Sequence, residues 1–248
     1  MYKNKSVCVI LPTYNEKDSI RKCIEDFYNT GFVDRVIVVN NNAAAGTSEE
    51  VAKTKALEVF ETTQGVGAAV KRGLQETSED IAVISEPDDT FCPQDIEKLL
   101  SYSKNFDAVW SSRTYTELIE DGANMGFFMI LGNQLVAKLF QFLFNTTRLS
   151  DIGSSYRLLN RNAADMLKKK MTMTQNYYDV NLMFLLKINK FRFVEIPVNY
   201  KKRVGKSAVT GHFSKTLHLA LAMIFWIIIY RIKSFFPFMK SVYIYNKE

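Results

Sequence analysis

A chain of 248 residues, 47% apolar and 23% charged, is long enough for one sizeable α/β domain and short for two, and its composition excludes a chain dominated by disorder. Nine of the 32 Lys and Arg, but only one of the 26 acids, lie after residue 200, so the net charge of +6 is a C-terminal property and residues 1–200 carry −2. A basic tail beside an apolar segment suits an anionic membrane surface or a phosphate-bearing ligand; nucleic acid is disfavoured, because the aromatics there cluster with aliphatics.

Short apolar runs alternate with amphipathic stretches. Strands are predicted at 7–11, 35–39, 57–60, 81–85 and 108–111, with helices at 17–28, from Thr47 or Ser48, at 67–76 and from Pro93 to about 103. Strand–helix alternation predicts a mostly parallel sheet covered on both faces. Ligands of such sheets bind beyond the carboxyl ends of the strands, at residues 12–16, 40–42, 64–71, 86–89 and 112–113 here. Further on, a long aromatic-rich segment covers 125–144, a polar turn enters a strand within 151–160, helices follow at 163–170 and 178–189, and 191–200 reads as a strand whose Pro197 favours an edge. The three cysteines, Cys8, Cys23 and Cys92, match no metal spacing and suit a reducing cytosol; the apolar run at the N-terminus is too short for a signal peptide.

Glu86-Pro87-Asp88-Asp89 places three carboxylates in four residues at a strand end. Two readings fit: an exposed turn before the Pro93 helix, or an Mg²⁺ or Mn²⁺ site that bridges to a diphosphate. Gly65-Val66-Gly67, with Lys71 one turn in, opens a helix able to hold a phosphate on its N–H groups, but lacks the Walker and dinucleotide patterns. No nucleophile elbow accompanies His212 or His218, which disfavours a Ser-His-Asp hydrolase; His212 reads as a solvated residue and His218 as packed. Residues 217–230 are nearly all apolar, about 21 Å of helix, and flanked by Arg231 and Lys233; they read as an interfacial helix or as one buried against the domain or a partner. The stripe Phe127, Phe128, Leu131, Leu135, Leu139, Phe142, Leu143 reads as core.

Six segments in order resemble family 2 glycosyltransferases: VILPTYNE at 9–16, VIVVNNN at 36–42, GVGAAVKRGL at 65–74, EPDDTFCPQDI at 86–96, DIGSSYRLLNR at 151–161 and NYKKRVGKS at 199–207. The last is similar to the Arg-x-Gly-x-Ser loop of the dolichol-phosphate mannose synthase branch. The resemblance implies an α/β, Rossmann-like GT-A domain over 1–210, with a nucleotide-sugar half at 1–112 and an acceptor half at 113–210, and a C-terminal apolar and basic amphipathic helix and tail at 211–248. It implies an inverting, hexosyltransferase-like enzyme moving sugar from a UDP- or GDP-sugar to a polyprenyl phosphate or other lipid-linked acceptor. The enzyme would be peripheral on the cytosolic membrane face, alone, as a homo-oligomer or with a membrane partner subunit.

By the same resemblance, Pro12, Tyr14, Glu16, Asn40, Asn42, Gly67 and Lys71 serve the donor, and Asp88, Asp89 and Glu86 the metal. Arg113 and Arg203 face phosphates. Asp151, Ser154, Ser155, Arg157 and Lys206 line the acceptor half. The chain departs from the family at Asn40-Asn41, where an Asp pair is usual, at Glu-Pro-Asp-Asp in place of Asp-x-Asp, and at Ser155 in place of glycine. A lipid-linked sugar hydroxyl as acceptor would need Asp151 as base. The departures also fit a non-catalytic binding subunit, whereas a sugar-1-phosphate nucleotidyltransferase is disfavoured because no Gly-rich basic loop follows the first strand.

Overall fold

The computed structural model describes residues 1–205 and 213–236; Lys206, His212, the expected domain boundary at 210 and the basic tail beyond 236 lie outside them. The described elements are β1 (Val7–Thr13), α1 (Lys17–Asn29), β2 (Arg35–Asn40), α2 (Thr47–Ala52), β3 (Leu57–Phe60), α3 (Val66–Glu76), β4 (Ile81–Ile84), α4 (Ile96–Tyr102), β5 (Ala108–Ser112), α5 (Phe127–Phe144), β6 (Arg157–Asn160), α6 (Arg161–Lys170), α7 (Tyr178–Ile188), β7 (Phe193–Pro197) and α8 (Phe213–Phe235). All seven predicted strands are present. They form one sheet ordered β3-β2-β1-β4-β6-β5-β7, and β7 takes the edge that Pro197 favours. β6 runs antiparallel to both its neighbours, β4 and β5; the other pairings are parallel.

Alternation along the strands divides the core in two. Val7, Val9 and Leu11 of β1 pack with Ile20, Ile24 and Phe27 of α1 and with Leu99 and Leu100 of α4. Cys8 and Ile10 face the other side, with Val70 and Leu74 of α3 and the inner faces of α5 to α8. The polar loops at the carboxyl ends of β1, β2, β4 and β5 therefore open towards one another.

Two expectations about the apolar helices are corrected. The apolar stretch at 217–230 is the middle of a 23-residue helix, α8, about 34 Å long. Residues 213–216 and 231–235 contain no Gly or Pro, so nothing stops the helix before Pro237. The stripe on α5 is not core: Phe127, Phe128, Leu131, Leu135 and Phe142 are exposed, Phe142 by 84%. Only Leu139 and Leu143 pack partly against the core, which takes Val136, Ala137, Phe140 and Phe144 instead. α8 packs on α5 and α7 and buries Met223, Ile227 and Tyr230, with Asn181 of α7 donating to the Tyr230 hydroxyl at 2.7 Å. Its other face, Leu217, Leu221, Phe225, Ile228 and Ile232, is exposed. By length and composition, α5 and residues 214–235 are each apolar enough to cross a membrane.

Candidate active site

The loop after β1 is built around Glu16. Its Oε2 accepts hydrogen bonds from the backbone N–H of Tyr14 and Asn15 at 2.7 and 2.9 Å, which curls residues 13–16 into the turn that starts α1. Its Oε1 faces Arg203 Nη2 at 2.7 Å. The guanidinium also lies 2.5 Å from Asp88 Oδ2 and 3.8 Å from Glu86 Oε2, so one cation serves three carboxylates from two loops. Asp88 is fully buried, and its other oxygen accepts from the backbone N–H and hydroxyl of Thr90. Desolvation, and next the Asp88 charge, raise the Glu86 carboxyl above its usual range, against the pull of Arg203.

Asp89 does not join them. It sits at φ +67°, a left-handed conformation that Asp tolerates, and turns its carboxylate to Lys22 Nζ at 3.1 Å. Its predicted role as a metal ligand is not supported by this placement. Among the described residues no group of three or more His, Cys, Asp or Glu is able to hold a metal by itself.

A cavity of about 460 Å³ opens above these loops. Its polar lining comes from the strand-end loops, Pro12, Tyr14, Glu16, Asn41, Gln64 and Gly65, together with Glu86, Arg113, Ser155 and Arg203. Its apolar lining comes from Phe128, Met129, Gly132 and Val136 of α5 and Leu219, Ala220 and Met223 of α8, which packs on α5. Asn133 of α5 and Tyr178 and Asp179 at the start of α7 also border it. Burial raises the Asp179 carboxyl although Arg157 opposes this.

Arg113 is held in a fork. Its Nε and Nη2 donate to the two oxygens of fully buried Asp151 at 2.8 and 3.0 Å, and its backbone N–H to one of them at 3.0 Å. Glu195, raised by burial, accepts the backbone N–H of Ser150 and Asp151 and fixes that turn.

Several predicted site residues lie elsewhere. Asn40 donates to Glu58 and Ser48, and Asn42 to Gln64 and Thr62, so both hold loops; it is Asn41 that borders the cavity, with its amide bonded to Glu61, Thr63 and Gly65. Lys71 reaches the Met171 carbonyl at 2.9 Å. Gly67 is a close-packing position: a Cβ there would sit 2.6 Å from the Met173 carbonyl. Ser154 is buried against Ser111. Arg157 is fully buried, paired with Asp179 at 2.5 Å and stacked on Trp110 at 4.2 Å. The α5, α7 and α8 contributions were missed because they come from helices, outside the strand-end rule. Asn133 stands in an otherwise apolar stretch of α5, but so do Gln134, Lys138 and Gln141, so the sequence did not single it out.

Residues 8–167, more than half of the chain, match the family described as glycosyl transferase family 2. The chain belongs to this family. Among its relatives, the glycosyltransferase AglJ of Haloferax volcanii is 26% identical over 202 residues, 80% of this chain and 64% of the relative. The UDP-N-acetylglucosamine–dolichyl-phosphate N-acetylglucosaminyltransferase of Methanococcus voltae is 24% identical over 216 residues, 79% of this chain and 85% of the relative. The Mycobacterium tuberculosis glucosyl-3-phosphoglycerate synthase, solved with Mn²⁺, UDP and its product, superposes with a TM-score of 0.69 at 16% identity, covering 92% of this chain and 80% of that one. The fold is thus the GT-A fold of the family, with its sheet and flanking helices as expected.

A family metal fits part of the expected ligand set. Mg²⁺ and similar ions are commonly held by one or two carboxylates together with substrate phosphates. Glu86 and Asp88 share one cation and can offer that pair; Asp89 cannot without leaving Lys22.

Proposed function

We propose that the chain moves one sugar from a UDP- or GDP-sugar to a polyprenyl phosphate at the cytosolic membrane face, with inversion. The observation that carries this is the continuity of the cavity, from the polar loops at the sheet ends to the apolar walls of α5 and α8. The donor and acceptor named for the Methanococcus relative support the same reading.

A phosphate acceptor is already anionic. One of its oxygens forms the new bond to the anomeric carbon as the bond from that carbon to the donor diphosphate breaks, and the electron pair leaves with the nucleoside diphosphate. No strong base is needed. Arg113, oriented by Asp151, receives the acceptor phosphate, and Arg203 the diphosphate; catalysis is then orientation and charge stabilisation. Pro12, Tyr14 and Gln64 frame the nucleoside end. Glu86 and Asp88 hold Mg²⁺ or Mn²⁺, which when bound supplies charge neutralisation on the leaving diphosphate. A sugar hydroxyl acceptor is less well served, because its expected base, Asp151, is fully buried and engaged by both arms of Arg113.

Calorimetric titration with UDP and GDP, each with and without Mn²⁺, tests the donor half. Mn²⁺-dependent binding of one nucleotide is expected; no binding of either would favour the non-catalytic subunit.

The same reading docks the exposed faces of α5 and α8 on the bilayer, with Lys215, Arg231 and Lys233 at the anionic headgroups. Leu221→Asp with Phe225→Asp is expected to weaken co-sedimentation with anionic vesicles by about tenfold or more, since each apolar side chain contributes ~1.5–3 kcal/mol on burial. Unchanged sedimentation would contradict docking, and self-association without vesicle binding would assign that face to a homo-oligomer.

A further inference from the structure

We propose that Arg203 is the resident counter-cation of the Glu86 and Asp88 carboxylates, and that it yields this place to a divalent cation only when a nucleoside diphosphate enters with the metal. The inference rests on the proposed function.

Three observations carry it. The guanidinium spans Asp88, Glu86 and Glu16, so the cation demand of fully buried Asp88 is already met by the chain itself. A bare metal ion must therefore displace this ion pair before it gains a ligand. The backbone carrying Arg203 is fixed on the acidic loop: the Lys201 N–H donates to the Thr90 carbonyl at 2.7 Å, and the Val204 N–H to the Asp88 carbonyl at 2.9 Å. The Lys202 N–H donates to Glu120 at 2.8 Å. The exchange is consequently a rotation of one long side chain about a held backbone. Finally, neither the buried Arg203 Nε nor the facing Asp88 Oδ2 has a hydrogen-bond partner, so the present pose is an ion pair that leaves one donor of the fork unused. A diphosphate offers acceptors for that whole fork and compensates Arg203 for the carboxylates it gives up, which couples metal binding to nucleotide binding.

The test is Mn²⁺ binding followed by the electron paramagnetic resonance of the free ion, with full-length protein in the absence and presence of UDP or GDP. The parent protein is expected to bind Mn²⁺ weakly alone and at least about tenfold more tightly with its nucleotide, the factor that one charge-assisted hydrogen bond carries. Arg203→Met is expected to bind Mn²⁺ alone about tenfold or more tightly than the parent, and to lose most of the coupling. Arg203→Lys, which keeps the charge but not the fork, should bind Mn²⁺ alone about as weakly as the parent. Glu86→Gln in the Arg203→Met background should abolish the gain, which ties it to this site. If Arg203→Met, folded by circular dichroism, binds Mn²⁺ alone no better than the parent, or if the parent binds Mn²⁺ equally with and without nucleotide, the inference is overturned. If Arg203→Met does not fold, Arg203→Gln replaces it under the same criteria. A parent that binds neither nucleotide under any condition defeats the proposed function itself; one that binds nucleotide without these Arg203 effects defeats only the inference.

Discussion

Asp88→Asn is expected to slow sugar transfer by about 10²–10³-fold, the loss seen when one preorganised electrostatic group is removed from an active site. The substitution keeps the shape of the side chain, and the amide oxygen can still accept from Thr90. What it removes is the negative charge facing Arg203 at 2.5 Å, together with one of the two carboxylates that fit a metal. An amide nitrogen turned to the guanidinium would set donor against donor. The defect should appear in initial rates and in Mn²⁺-dependent nucleotide affinity. Asp89→Asn is the matched control: its carboxylate contacts surface Lys22, and it should retain near-parental rates. Equal losses in both variants would restore Asp89 to the metal site.

Arg157→Leu is expected to cost about 3–5 kcal/mol of stability, the range for removing one partner of a buried ion pair. Arg157 is fully buried. Its Nε donates to the Ser154 carbonyl at 2.6 Å, its guanidinium stacks over Trp110, and Asp179 is its charge partner. Leucine fills part of the volume but leaves the Asp179 carboxylate unpaired in a desolvated place. For a domain of this size the melting temperature should fall by about 6–20 °C. A second substitution, Asp179→Asn, should recover part of the loss, because it removes the orphaned charge. An Arg157→Leu protein of parental stability with impaired acceptor affinity would instead return this residue to the direct binding role that the sequence suggested.

The contrast between Arg157 and Arg113 illustrates what the sequence carried. Strand ends were legible because buried parallel strands leave short continuous apolar runs, and the residues at or just beyond them, Pro12 to Tyr14, Glu16, Glu86 and Arg113, do meet in one cavity. Which way a polar side chain turns once it leaves the strand was not legible. Asn40, Asn41 and Asn42 are chemically identical, and only the packing of the loop at 61–65 sets Asn41 at the cavity. Arg157 lies within β6, and its side chain is fully buried between Trp110 and Asp179. Asp88 and Asp89 are adjacent, yet a left-handed backbone at Asp89 sends them to opposite partners. The apolar helices misled in another way: composition alone does not distinguish core from an exposed apolar face, and the stripe on α5 turned out to be the latter.

The most direct measurement is transfer itself. Purified full-length protein is incubated with radiolabelled UDP- and GDP-sugars, Mn²⁺ and vesicles containing a polyprenyl phosphate, and the lipid fraction is separated by chromatography. One labelled lipid is expected, a single sugar on the polyprenyl phosphate, formed from one of the two nucleotide classes and lost in Asp88→Asn. Donor binding without that product, with label passing instead to a lipid-linked sugar hydroxyl, would contradict it.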